Sequence, residues 1–185
     1  MKINDELLIK IKSLKKPALV AISGFGGSGK STLANILSAE LKAPVISIDS
    51  FNKGLSEYSN WELMDFGRFE KEIIKPFYSQ QDPIKYSHYS GESRERPEEK
   101  EIHHDGIIIV EGVGIFRPEL MNKYSYSIWV DCSIDEATRR GKKRDKEVWN
   151  NPKDELWEGI WKRNDLEHLE KFKPKEIADS VIDNN

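Results

Sequence analysis

Between an apolar run of strand length, Ala18-Leu19-Val20-Ala21-Ile22, and a helical pattern, Thr32-Leu33-Ala34-Asn35-Ile36-Leu37, the chain places Gly24-Phe25-Gly26-Gly27-Ser28-Gly29-Lys30-Ser31. The octet is G-x(4)-G-K-S at every fixed position, and its strand–loop–helix setting constrains the fold more than any other feature. Glycines let the backbone coil around an anion with successive N–H groups turned inward, and the helix beginning near Lys30 adds the positive end of its dipole. Lys30 is placed to reach β- and γ-phosphates and the Ser31 hydroxyl to ligate Mg²⁺, with Thr32 beside it in the first turn. A flexible Gly/Ser linker would not be framed by a strand and a helix in this way. The octet and Thr32 are read as the seat of a nucleoside triphosphate, with ATP and Mg²⁺ as the expected ligands.

Short β-branched runs alternate with helical patterns along the rest of the chain, which predicts an α/β fold: a three-layer sandwich with helices on both faces of a parallel sheet. The expected strands are Ala18–Ile22, Val45–Ile48, Ile107–Val110, Ser127–Val130 and Ser180–Ile182. Expected helices follow the loop through Leu41, run from behind Asp65 to near Pro76, form a short basic helix over 134–145, and run from about Asp154 to Phe172. The basic helix and the residues just after it, 134–155, form a candidate lid. The polar stretch Ser87–Lys100 reads as a long excursion between elements, of the kind that often serves as a binding loop.

With 185 residues the chain suits one domain, 1–185, rather than two. A net charge of −3 without a long basic block argues against a duplex nucleic-acid partner and for a small ligand. The lone Cys132 excludes an internal disulfide, suits a reducing compartment and reads as a packed thiol. Met1–Lys16 is an amphipathic, Lys-rich stretch without the apolar core of a signal peptide, and no run reaches transmembrane length. These features predict a cytoplasmic protein with no membrane partner; self-association stays open.

In an open parallel sheet the ligand lies beyond the carboxyl ends of the strands, so the residues that follow each strand matter most. Asp49-Ser50-Phe51 follows the second expected strand, and Glu111-Gly112 follows Ile107–Val110. Glu111 is placed to fix Mg²⁺ together with Ser31. Asp49 is placed to accept the proton of an attacking hydroxyl and lies near enough to count among the metal candidates. Each acid could instead cap the next helix. Arg140 and Arg144, four apart on the basic helix, could close over a transferring phosphoryl group or form part of a solvated charged face. Phe51, Tyr86, His88, Tyr89 and Arg94 are the candidate acceptor contacts, with ordinary half-buried packing as the other reading. Trp157 and Trp161 mark the inner face of the last long helix, and Asp165 on that face could reach the site.

Taken together, Gly24–Ser31, Asp49-Ser50-Phe51, Ile108-Ile109-Val110-Glu111-Gly112, Arg140-x(3)-Arg144-Asp145 and Ala178-Asp179-Ser180-Val181-Ile182 resemble the uridine kinase-like branch of P-loop kinases. That branch includes uridine/cytidine kinases, phosphoribulokinase, bacterial pantothenate kinase and nicotinamide riboside kinase. The resemblance covers nearly the whole chain and is greatest for short bacterial members. It implies transfer of the γ-phosphoryl group of ATP to a hydroxyl of a small molecule such as uridine or a related ribosyl compound. Asp49 is then the base, Glu111 the metal-assisting acid and the two arginines part of the lid. Pantothenate, nicotinamide riboside or a sugar phosphate are alternative acceptors. A nucleotide-dependent switch or ATPase acting on a protein partner is the competing class, but it needs a residue to orient water and the sequence offers no distinctive one.

Overall fold

The computed structural model describes residues 4–53, 64–89 and 98–185. In chain order the elements are α1 (Asp5–Lys12), β1 (Ala18–Gly24), α2 (Lys30–Leu41), β2 (Val45–Ser47) and a 3₁₀ turn (Ile48–Phe51). After them come α3 (Phe66–Phe69), a π-turn (Glu70–Ile74), α4 (Lys75–Tyr78), β3 (Ile84–His88) and β4 (Glu98–Ile102). The remainder comprises β5 (Ile107–Glu111), α5 (Pro118–Met121), β6 (Tyr126–Asp131), α6 (Ile134–Glu147), α7 (Asp154–Leu156), a second π-turn (Trp157–Trp161), α8 (Lys162–Phe172), α9 (Pro174–Ile177) and β7 (Ser180–Asp183).

The five expected strands form one parallel sheet in the order β2-β5-β1-β6-β7. Side chains on a strand alternate between faces, so each central strand feeds two cores. Leu19, Ala21, Ile108, Val110 and Trp129 enter one core with Phe51, Phe69, Phe77 and Phe116. Ala18, Val20, Ile22, Ile107, Ile109, Ile128 and Val130 enter the other, under Leu33, Ala34 and Leu37 of α2 and Leu7 and Ile11 of α1. Burial on both faces is why these strands read as unbroken apolar runs, and each fully buried Ile or Val contributes roughly 1.5–3 kcal/mol.

One expectation changes. The Ser87–Lys100 excursion is bounded by an antiparallel hairpin, β3 with β4, with Tyr86 opposite Lys100 and His88 opposite Glu98. The composition of β4, Glu-Glu-Lys-Glu-Ile, hides it, because a strand outside the main sheet needs no apolar face. The helical run that starts behind Asp65 ends at Tyr78, near Pro76 as expected, with Pro76 in the first turn of α4 just past the π-turn. A proline is tolerated there because its missing N–H falls in the first turn. Asp65 caps the start as expected, its Oδ1 accepting from the Arg68 N–H at 2.9 Å.

Parallel pairing puts the carboxyl ends of β1, β2 and β5 side by side. Glu111 pairs with Ile22 on one side and with Ser47 on the other. The glycine-rich loop, the Asp49 turn and Glu111 therefore share one rim of the sheet.

Candidate active site

The loop wraps tightly because Gly27 and Gly29 hold positive φ values, 82° and 102°, that glycine adopts without strain. Gly27 also needs its missing side chain: a Cβ there would run into the backbone of Ala137 in α6. The Phe25 ring is not a loop decoration but a core group, edge-on to Trp129 at 5.6 Å. Its carbonyl accepts a 2.8 Å bond from Lys30 Nζ. Burial pushes the Lys30 ammonium below its usual pKa, against the opposing pull of Glu111, Asp165 and Asp49. A buried cation facing three carboxylates is a charge arrangement that an anionic phosphate completes. Within the cradle, the buried Ser28 hydroxyl has no hydrogen-bond partner among the described residues.

Ser31 and Glu111 meet, with Ser31 Oγ donating to Glu111 Oε2 at 3.2 Å. One hydroxyl and one carboxylate are hard oxygen donors that suit Mg²⁺, whose octahedron is ordinarily completed by phosphate oxygens and water. Among the described residues no group of three or more His, Cys, Asp or Glu side chains could hold a metal by itself. Thr32 follows Ser31 on the exposed first turn of α2.

Asp49 lies in the 3₁₀ turn, its N–H bonded to Ser47 Oγ at 3.4 Å. The residue is exposed at the rim of the sheet, yet its carboxyl is crowded by protein. Desolvation raises its pKa, Glu111 adds to the rise, and Lys30 and Arg144 oppose it. The charges of Lys30, Glu111, Asp49 and Arg144 thus act on one another in one cleft.

The two arginines of α6 part company. Arg144 is held by the buried Asp145, with its Nη2 2.9 Å and its Nε 3.2 Å from Asp145 Oδ1, and its guanidinium lies 4.0 Å over the Trp149 ring. Arg140 points elsewhere: it pairs with Glu136 at 2.7 Å and donates to the Asn184 carbonyl at 2.6 Å. Asn184 in turn donates to the Ser28 carbonyl, so Arg140 braces the chain end against the loop rather than covering the Lys30–Asp49 gap. The i, i+4 spacing places two residues on one face of a helix; which partners they find depends on what that face meets.

The acceptor candidates also divide. Phe51 is fully buried, stacked on Tyr86 at 5.8 Å and edge-on to Phe69 at 5.3 Å, which makes these rings core rather than lining. Burial raises the Tyr86 pKa. His88 and Tyr89 stand beside the Asp49 turn: His88 Nδ1 lies 2.9 Å from Ser50 Oγ, and the Tyr89 N–H donates to the Ser50 carbonyl at 3.0 Å. Arg94 lies outside the described residues.

The α8 side supplies residues that the motifs did not name. Asp165 accepts a 2.8 Å bond from the Gly26 N–H. Trp157 fills the space between Gly26 and Gly141; a Cβ on Gly26 would come within 2.9 Å of its ring. The indole N–H donates to Asp145 Oδ2 at 2.7 Å, so one buried carboxylate holds both Trp157 and Arg144. The four-residue spacing of Trp157, Trp161 and Asp165 was the available signal.

Comparison with known proteins agrees with this fold. The model of a family described as an AAA domain matches residues 20–158. Among solved structures, the chain is similar to a possible uridine kinase from Bacillus stearothermophilus, with TM-score 0.70 and 20% identity over 97% of this chain and 96% of that one. It is similar to a candidate fructose transport system kinase from Silicibacter sp. TM1040, with TM-score 0.70 and 21% identity over 95% and 97%. It also resembles shikimate kinase from Bacteroides thetaiotaomicron, with TM-score 0.50 and 18% identity over 90% and 85%. No curated protein matches the chain by sequence. With its phosphate loop, Ser31–Glu111 pair and sheet order in place, the chain belongs to the AAA-domain family of P-loop proteins.

Proposed function

We propose that the protein is a Mg²⁺-dependent kinase that transfers the γ-phosphoryl group of ATP to a hydroxyl of a small molecule, a nucleoside or related ribosyl compound. The observation that carries this reading is Asp49. Its carboxyl shares the cleft with Lys30 and Arg144, its pKa is raised, and among the described residues it has no side-chain hydrogen bond. A nucleotide switch has no use for such a group, whereas transfer to an alcohol needs an acceptor for the hydroxyl proton.

Phosphoryl transfer passes through a loose transition state, so the protein contributes position and charge. The loop amides and Lys30 bind the phosphates. Mg²⁺, when held by Ser31 and Glu111, neutralises phosphate charge. Asp49 orients the acceptor hydroxyl and takes its proton, and Arg144, pinned by Asp145, offsets charge on the transferring oxygens. Arg140 would join it only by giving up Glu136 and the Asn184 carbonyl. The hairpin face bearing His88 and Tyr89 is the acceptor side. The similarity to kinases supports the fold of such an enzyme, and the soluble, cytoplasmic setting remains part of the proposal; among the described residues no helix is long and apolar enough to cross a membrane.

The deciding measurement is ATP turnover with Mg²⁺, alone and with a panel of nucleosides, vitamins and sugar phosphates. Stimulation by a hydroxyl compound, with a phosphorylated product identified by mass, is expected. Turnover that no compound raises above basal hydrolysis overturns the kinase reading in favour of a switch.

A further inference from the structure

Arg68 carries no role in the sequence reading, where Asp65-Phe66-Gly67-Arg68 only resembles short bacterial members, yet its side chain joins two parts of the site. Its Nη2 donates to the Ser50 carbonyl and to the Ser87 carbonyl, each at 2.7 Å. The first lies in the turn that carries Asp49, the second on the β3 edge of the acceptor hairpin. Beneath the guanidinium is the Phe51 ring, 4.8 Å away. Glu72, one helical turn on, stands 3.4 Å from Arg68 Nε and with its other oxygen accepts the Ser87 N–H at 3.0 Å. The Arg68–Glu72 pair therefore holds both polar groups of the Ser87 backbone. Next to it, the Ser50 carbonyl also takes the Tyr89 N–H and the Ser50 hydroxyl meets His88.

We propose that Arg68 is a positioning residue that clamps the Asp49 turn to the acceptor hairpin, so that an acceptor seated against β3 meets an Asp49 carboxyl already aimed at it. This rests on the reading of Asp49 as the base. The geometry favours arginine specifically. One planar group sends both N–H bonds of a single nitrogen to two carbonyls, stands over an aromatic ring and turns its Nε to a carboxylate, which a lysine ammonium on a flexible stem does not reproduce. The turn does not need the clamp for its apolar anchorage, which Phe51 obtains from Phe69 and Tyr86. What the clamp adds is the last ångström of alignment, and misplacement by about 1 Å costs on the order of a hundredfold in rate.

The test compares wild type, Arg68→Ala and Arg68→Lys in transfer from ATP to uridine, or to the best panel compound where uridine fails. Far-UV circular dichroism confirms folding, and the lysine variant serves if alanine unfolds. The expected result is a loss in kcat of about tenfold or more with KM for ATP unchanged. Millimolar guanidinium, far below denaturing levels, should restore part of the lost rate in Arg68→Ala and none in Arg68→Lys. Unchanged kcat, or a loss shared equally by ATP binding, overturns the clamp. A second readout needs no acceptor: NMR titration of the His88 ring. Its pKa is lowered by burial in the wild type, and release of the Ser50 turn in Arg68→Ala should move it back towards about 6.5. An identical His88 titration in both proteins counts against the clamp. Wild type that no acceptor stimulates refutes the kinase reading alone, and the His88 comparison then decides the clamp.

Discussion

The Asp165 carboxylate and the Gly26 N–H form a 2.8 Å hydrogen bond, which places a negative side chain on the backbone of the phosphate loop itself. Asp165 is buried on α8, and desolvation raises its pKa from 3.8 to about 6 despite the Gly26 bond and the nearby Lys30. A triphosphate entering the loop competes with this carboxylate for the amide and is repelled by its charge. Asp165→Asn should therefore bind ADP and ATP more tightly than wild type at pH 8, by about five- to tenfold, the scale of one unpaired charge interaction at short range. The two proteins should converge near pH 5, where wild-type Asp165 is protonated. Calorimetric titration at both pH values checks this; equal affinities at pH 8 would show that the carboxylate leaves the loop without cost.

The same group shapes the stability profile. Because its folded pKa lies above the unfolded one, the folded state binds more protons between about pH 4 and pH 6. Stability from this group is full below the unfolded value and is lost as pH rises through the folded one. A shift of about two units corresponds to roughly 3 kcal/mol as an upper scale. Asp165→Asn is expected to melt higher than wild type at pH 7.5, with the difference shrinking towards pH 4. Thermal melts across that range provide the measurement, and a constant difference would refute the assignment.

Lys30→Ala removes the one ammonium buried in the loop. Transfer should fall by about 10²–10³-fold or more, the cost of losing a preorganised charged donor. Because three carboxylates would be left facing one another, nucleotide affinity should fall as well. Steady-state kinetics and titration with ADP test both, and near-normal transfer would remove Lys30 from the site.

Asp49→Asn should leave ADP affinity within a few-fold of wild type while lowering transfer by about a hundredfold or more. The wild-type rate is expected to fall as pH drops through the raised Asp49 pKa, where the base becomes protonated, and the variant profile should lose that limb. A variant that transfers at the wild-type rate would make Asp49 a loop-shaping residue only.

Gly141 lies against the Trp157 ring, where an added Cβ would collide. Gly141→Ala should cost about 1–3 kcal/mol by overpacking and shift the tryptophan fluorescence as Trp157 moves off Gly26. Denaturant unfolding followed by fluorescence reads both. A neutral substitution would mean that α6 backs away from the loop freely.

Period and spacing settled a large part of this architecture. Apolar runs alternating with helical patterns gave the five strands, and the central β1, β5 and β6 read as unbroken runs because a strand between two helical layers has no polar face to show. The octet Gly24–Ser31 gave the phosphate loop because backbone conformation and residue type are bound together there, and Ser31 with Glu111 followed from where parallel strands must end. Asp65 was legible as a cap for the same local reason. The sequence by itself thus determined the features that depend on neighbours along the chain. The tertiary structure alone decided which of two like residues meets the site: Arg144 turns to the cleft because Asp145 and Trp149 hold it, while Arg140 is taken by Glu136 and Asn184. It also made Phe51 and Tyr86 core rings and brought Asp165, far along the chain, to Gly26. Those outcomes depend on long-range packing and on competition for charged partners; of them only the Asp165 contact left a periodic mark in the sequence, its four-residue spacing from Trp161 and Trp157.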